Sequence, residues 1–220
     1  MDLLNVPLGK WGGVPAEIHW SLTVVMLALA VTSPPTAAVY AGLFLIVLLH
    51  EYGHVAAGKL YGCGASGVTI YPFGGIADMR IPTSFSGETV VSLAGPAVNV
   101  LLAPLLWWLS RYHLILAHVA IANVAVLFFN LLPAFPMDGG RVLRALLYRA
   151  TGNRLTATRT AAAASAVICA GLVVAAILLG NPLSVVAMIM VTLVVGAGAA
   201  EELVRLGGDD LTHSGNEESW

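Results

Sequence analysis

The sequence predicts an all-α polytopic membrane protein: six transmembrane helices, with a short membrane-associated β element after the second. Three observations predict it. Only 10% of the 220 residues are charged and 58% are hydrophobic, where an average soluble domain has roughly 25% charged. Mean hydropathy is +0.86, and apolar stretches of about 18 or more residues recur, long enough to cross a bilayer as helices. One stretch departs from this: Gly67 to Ile81 mixes β-branched and aromatic residues with a proline and paired glycines. That composition reads as one or two short strands joined by a Gly-Gly turn. The net charge of −2 says little about partners, and with no basic cluster nucleic acid is not expected as one. Cys63 and Cys169 stand alone, so neither a disulfide framework nor a thiolate metal site is expected.

In chain order, residues 1–16 are short and polar-mixed, and the first span covers about 14–32, with Glu17 and His19 at its entry. A cleaved signal peptide is the rival reading there; the hardly basic start and Glu17 directly before the apolar core argue against it. His19 is placed as a cap or interfacial anchor of that helix. Ser33-Pro34-Pro35 closes it as a tight loop. The second span, 37–60, carries His50-Glu51-Tyr52-Gly53-His54. The third, 87–109, contains Gly95-Pro96 and Asn99, and the fourth, 114–132, contains His118, Asn123 and Asn130. Leu132 to Gly140 is rich in proline and glycine, which forbids a regular helix; broken backbone at membrane depth survives only where protein or a wet cavity lines it. An arginine-rich segment leads to spans five (158–180) and six (183–204). One domain, 1–206, is followed by an acidic tail, 207–220, of disordered composition. With the N-terminus inside, nine of the ten Lys and Arg fall on inner segments and only Arg111 outside. Both termini are therefore expected in the cytoplasm, in a multi-pass protein of the cell membrane.

His50 and His54, four residues apart, lie on one face of a helix, and Glu51 between them can reach a metal-bound water without ligating. Imidazoles and carboxylates inside a span are usually functional. At about 1.5 Å rise per residue, His50 lies about 13 Å inside the cytoplasmic end near Lys59. Asp138 is the only carboxylate between Glu88 and Glu201, and the topology returns it to the same side. Two imidazoles, one carboxylate and water make a four-coordinate catalytic zinc site. Glu51 would act as the base toward the zinc-activated water and deliver the proton to the leaving amine. Asn99 and Asn130 are candidates to hold a substrate carbonyl or oxyanion, with interhelical hydrogen bonding the other use open to them. Gly74 and Gly75 would let an unwound substrate pair closely with the strand element.

The segment HEYGH in a span, followed by Asn130-Leu131-Leu132-Pro133-Ala134-Phe135-Pro136-Met137-Asp138-Gly139-Gly140-Arg141, resembles the site-2 protease family of intramembrane zinc metalloproteases. Gly13-x-Pro15-x-x-x-His19, Pro72-Phe73-Gly74-Gly75 and Gly95-Pro96-x-x-Asn99 extend the resemblance over about residues 13–145. It implies His50, His54 and Asp138 as ligands of one zinc ion, Glu51 as catalytic base, and cleavage in or near the transmembrane helix of a membrane-tethered substrate. Such a substrate would be a single-span protein, for example an anti-sigma factor or a membrane-bound transcription regulator. Many prokaryotic members carry a PDZ insertion or CBS domains; no segment here has room for either, which fits a minimal member or the core of a longer one. A membrane metal transporter or sensor using the same ligands is the alternative. It would want further carboxylates or histidines along a path, and it has no use for Glu51.

Overall fold

In a computed structural model the structure describes residues 5–178, 192–193, 195–202 and 204. The chain falls into two compact units, Met1–Asn130 and Leu131–Trp220.

The first unit opens with strands, where the sequence predicts the entry of a helix. β1 (Val6–Trp11) and β2 (Val14–Ile18) form an antiparallel hairpin. Its turn is Gly12-Gly13, with φ of 58° and 88°, values that a tight two-residue hairpin requires and glycine supplies freely. β2 was legible only as the start of the first span, because its apolar residues run straight into α1 (Trp20–Thr32). In the structure Val14 and Ala16 are buried while their neighbours are only half-buried, the period-two signature of a strand.

After α1 and α2 (Pro34–Leu60) the chain returns as β3 (Ala65–Tyr71), parallel to β2, and β4 (Gly74–Met79), antiparallel to β3. The order is β1-β2-β3-β4, leaving β4 at an edge. The anticipated β element is thus one half of a four-stranded sheet. Its turn residues are Pro72-Phe73, and the paired glycines that were read as the turn instead begin β4. Val14, Ala16, Val68 and Ile70 of the sheet share a core with Leu22, Leu48 and Val55 of the helices.

His19 caps α1 by accepting from the Ser21 amide at 3.3 Å. Pro34 and Pro35 start α2, where a missing N–H does no harm. α3 (Phe85–Leu109) is capped by Ser84, which accepts from the Gly87 amide at 3.2 Å, and α4 spans Leu114–Asn130. Glycines set the helix spacing. A Cβ at Gly53 would stand 2.7 Å from the Ala94 carbonyl oxygen of α3, and one at Gly42 would stand 2.5 Å from Val119 of α4.

The second unit begins with the broken segment, then α5 (Asp138–Thr151) and α6 (Arg154–Leu178). The arginine-rich stretch read as a basic inner loop is largely the helix α5. The irregular backbone ends at Met137, and Gly139-Gly140 belong to the first turn of α5. Their role is steric: a Cβ at Gly139 would overlap the Leu131 and Leu132 carbonyls, and one at Gly140 would stand 2.6–2.7 Å from the backbone of Ala134 and Phe135. Phe135 is fully buried and donates its amide to Ser165 Oγ of α6 at 2.8 Å. Buried Arg144 lies over its ring, 5.2 Å from the centroid, and pairs with Glu202 at 2.5 Å.

α2, α3 and α6, of 27, 25 and 25 residues, are the described helices long and apolar enough to cross a membrane. α1 and α4, of 13 and 17 residues, rise only about 20 and 25 Å, short of a hydrocarbon core of about 30 Å. Half of the predicted sixth span and all of the tail fall outside the described residues.

The spacing role of Gly53 is testable. Gly53→Val should lower the stability measured by thermal unfolding in detergent by roughly 1–3 kcal/mol, the range for overpacking. Gly171→Val, at a helix position with nothing within 4 Å, should change it by less than about 0.5 kcal/mol.

Candidate metal centre

α2 places His50 and His54 one turn apart, both buried, with ring centroids 4.7 Å apart and planes at 81°. The Nε2 atoms face each other at 3.1 Å. Each Nδ1 is engaged on α3: His54 Nδ1 lies 2.7 Å from the Val91 carbonyl oxygen, and His50 Nδ1 lies 2.6 Å from Asn99 Oδ1. A carbonyl oxygen can only accept, so each Nδ1 carries the proton and each Nε2 presents a lone pair. Two lone pairs converging at 3.1 Å in a buried site repel unless a cation lies between them. That cation is a proton, which turns one ring into a buried imidazolium, or a metal ion. Two nitrogens on one tetrahedral zinc at about 2.0–2.1 Å would stand roughly 3.3 Å apart, close to the observed spacing. The donors also leave room for an ion only because Gly95 lacks a side chain. A Cβ there would overlap His54 Nε2 and stand 2.6 Å from His50 Nε2. The residues fit a metal.

Glu51 is half-buried beside this pair. Gly75 of β4 forms its wall: a Cβ on Gly75 would lie 2.6 Å from Glu51 Cγ and 3.0 Å from Val47 Cγ1. Gly74 has nothing within 4 Å and takes a φ of 148°, a backbone that side-chain-bearing residues rarely adopt. Tyr52, within the motif, donates to the Val14 carbonyl at 2.9 Å and stacks on Trp11 at 5.5 Å, tying the hairpin to the histidine helix.

Asn99 is fully buried. Besides facing His50 it donates to Asn123 Oδ1 at 2.9 Å, and Asn123 Nδ2 donates back to the Asn99 carbonyl at 2.9 Å. Asn130, the last residue of α4, donates to the Val126 carbonyl at 3.0 Å. Asp138, in the second unit, is the first residue of α5 and is buried. A helix start favours a carboxylate, because the first backbone N–H groups and the helix dipole both stabilise its charge. His118 is exposed and bonds back to the Leu114 carbonyl at 2.8 Å, as suits a structural residue. From the sequence, Gly95 and Asn123 are placed in the third and fourth spans but given no role at the site. A signal existed for the first: Gly95 and Asn99 repeat the four-residue spacing of the histidines.

An apolar helical bundle with a buried imidazole pair beside a half-buried Glu defines a class, and comparison narrows it. The family model of peptidase family M50 matches residues 38–115 and 111–178. A zinc metalloprotease of Methanocaldococcus jannaschii is 33% identical over 211 residues, covering 90% of this chain and 60% of that protein. Stage IV sporulation protein FB of Bacillus subtilis is 31% identical over 143 residues, covering 62% of this chain and 49% of that one. The chain thus spans about half to 60% of the length of these relatives. The solved structure of a site-2 protease from Methanocaldococcus jannaschii is similar with a TM-score of 0.65 and 31% identity, covering 90% of this chain and 95% of that one. The chain belongs to peptidase family M50. It is a mostly helical, membrane-integral protein with a small sheet.

Gly95→Ala should cut the metal bound per chain roughly tenfold or more, the scale on which perturbed ligand surroundings act, with helix content by circular dichroism unchanged. Elemental analysis of the purified protein reads the result.

Proposed function

We propose that the chain is an intramembrane zinc endopeptidase that hydrolyses a peptide bond in or near the transmembrane helix of a membrane-tethered substrate. The observation that carries this reading is the pair of buried, convergent Nε2 atoms on a membrane-length helix, with Glu51 next to them in the chain. His50, His54 and Asp138, all buried and all metal-ligating, hold the ion, and zinc is the metal named for the relatives. Bound there, zinc supplies a Lewis acid and lowers the pKa of a coordinated water to about 7. Glu51 takes the proton of the attacking water and returns it to the leaving amine, so that water and amide become acid and amine. The half-buried placement of Glu51 against Gly75 holds its carboxylate in one position through that exchange. Asn130 is positioned by sequence for a substrate carbonyl, and Asn99 acts through His50.

The substrate strand pairs with the free edge of β4, starting at Gly74-Gly75. Gly75 packs on Glu51, so a strand added at that edge presents its backbone beside the base. The protein is read as a multi-pass protein of the cell membrane with six spans, one domain over 1–206 and both termini cytoplasmic. A single-span substrate such as an anti-sigma factor or a membrane-bound transcription regulator fits this placement. A transporter or sensor reading is not favoured, since neither metal binding nor packing requires Glu51.

Two experiments follow. Co-expression with a reporter carrying a labile transmembrane helix should show cleavage by the unmutated chain. Glu51→Gln should abolish it with zinc retained, and Asp138→Asn should lose both; unchanged processing in Glu51→Gln would sink the protease reading. For the edge strand, a cysteine replacing Ile76, which is half exposed on β4, should form a disulfide with a cysteine-scanned substrate in the Glu51→Gln background. One at Val174, exposed on α6, should not; equal trapping at both would remove the case for strand pairing.

A further inference from the structure

We infer that Asn123, on α4, is a positioning residue that fixes which nitrogen of His50 faces the metal. The argument starts from an atom with no choice. The Asn99 backbone carbonyl can only accept, and the Asn123 side chain meets it at 2.9 Å, so that end of the Asn123 amide is the NH2. The other end is then the oxygen, and it faces the Asn99 side chain at 2.9 Å, which must present its own NH2. The remaining end of Asn99 is therefore Oδ1, 2.6 Å from His50 Nδ1. An oxygen there requires the proton on Nδ1, and Nε2 is left as a lone pair. Polarity thus passes from a backbone carbonyl through two amides to the imidazole, and every side chain in the relay is buried.

His54 needs no such device, because its Nδ1 meets the Val91 carbonyl directly. A side-chain amide, unlike a carbonyl, can turn over. A flipped Asn99 would put its NH2 against His50 Nδ1, move the ring proton to Nε2 and block the ligand atom. Asn123 prevents the flip, since its two contacts to Asn99 cannot both survive it.

This inference rests on the zinc reading, and the two fail separately. If the unmutated chain binds no zinc, that reading fails, whereas the ring tautomer on metal-free protein tests the relay alone. The test uses the full chain in detergent with 15N-labelled histidine. The His50 signal is assigned by its loss in His50→Gln. Unmutated protein should show His50 protonated on Nδ1; a ring protonated on Nε2 alone, with Nδ1 bare, overturns the inference without any variant. Asn123→Leu should move His50 toward the Nε2–H form and weaken zinc, measured by chelator competition, roughly 10- to 100-fold. Adding Asn99→Asp should restore most of that affinity, because a carboxylate presents an oxygen whichever way it turns. A folded Asn123→Leu with tautomer and affinity unchanged, or a loss that Asn99→Asp leaves unrepaired, makes Asn123 a packing residue only.

Discussion

Two imidazole lone pairs aimed at one point, 3.1 Å apart in a buried site, are the constraint on which the rest of the first unit depends. Left alone, that arrangement is unfavourable, since buried acceptors without a positive partner lose their hydration and repel. A proton or a metal ion between the rings offsets that repulsion, and each ring is aimed by an acceptor behind it on α3. The Val91 carbonyl and Asn99 lie two turns apart on that helix, and they face His54 and His50 respectively. A helix carrying HExxH therefore needs a second helix whose polar atoms repeat its period and whose surface is bare between them. Gly95 is that bare position.

Missing side chains do much of the structural work. Gly53 lets α3 come close enough to α2 for the Val91 and Asn99 contacts, Gly95 leaves space at the two nitrogens, and Gly75 brings a strand onto Glu51. In the second unit Gly139 and Gly140 let the first turn of α5 lie against the backbone of the broken segment that precedes it. At Gly74, in the Gly12-Gly13 turn and at Gly9, Gly62 and Gly152, unusual backbone is instead the reason for glycine. Close approach explains Gly53, Gly75, Gly95, Gly139 and Gly140, which is also how small residues are used between membrane helices.

The parts of this structure that were legible in the sequence are those with a long apolar run or a distinctive composition. The helix around HEYGH and the apolar runs that became α3, α4 and α6 follow from the first, and the strand pair after α2 from the second. What was hidden had its signal masked by neighbours. β2 alternates correctly over Val14 to Ile18, but the apolar α1 follows at once and absorbs it into one hydrophobic run. α5 opens with Asp-Gly-Gly: the Asp suits a helix start, but the two glycines are poor helix formers, and here the tertiary contact against Leu131 and Leu132 overrides propensity. Asn99 was visible as a polar residue in a span, but not its partners. Nothing in one dimension tells a substrate-facing amide from one whose two ends are committed to His50 and Asn123. The assignment of Asp138 rests on motif and family together, because one carboxylate in an Asp-Gly pair has too many ordinary uses.

The hairpin that the sequence concealed bears on how an extended substrate could meet the base. β2 joins β1 to β3, and β3 carries the edge strand β4. The sheet is tied to α2 at three heights: Lys59 to the Gly12 carbonyl, Tyr52 to the Val14 carbonyl, and Gly75 packed on Glu51. Two of these involve residues of HEYGH itself. A sheet fastened this way cannot slide along α2 without carrying hydrogen bonds and aromatic packing with it, which holds the start of β4 against Glu51. On the proposed reading, that fastening substitutes for a binding pocket. A protease built this way would have no need to recognise a helix: β4, the edge strand among the described residues, would be offered beside a base, and a segment able to give up its helix for strand pairing would be placed for attack by that act alone. Helix stability in the substrate, more than any particular side chain, then decides what is cut.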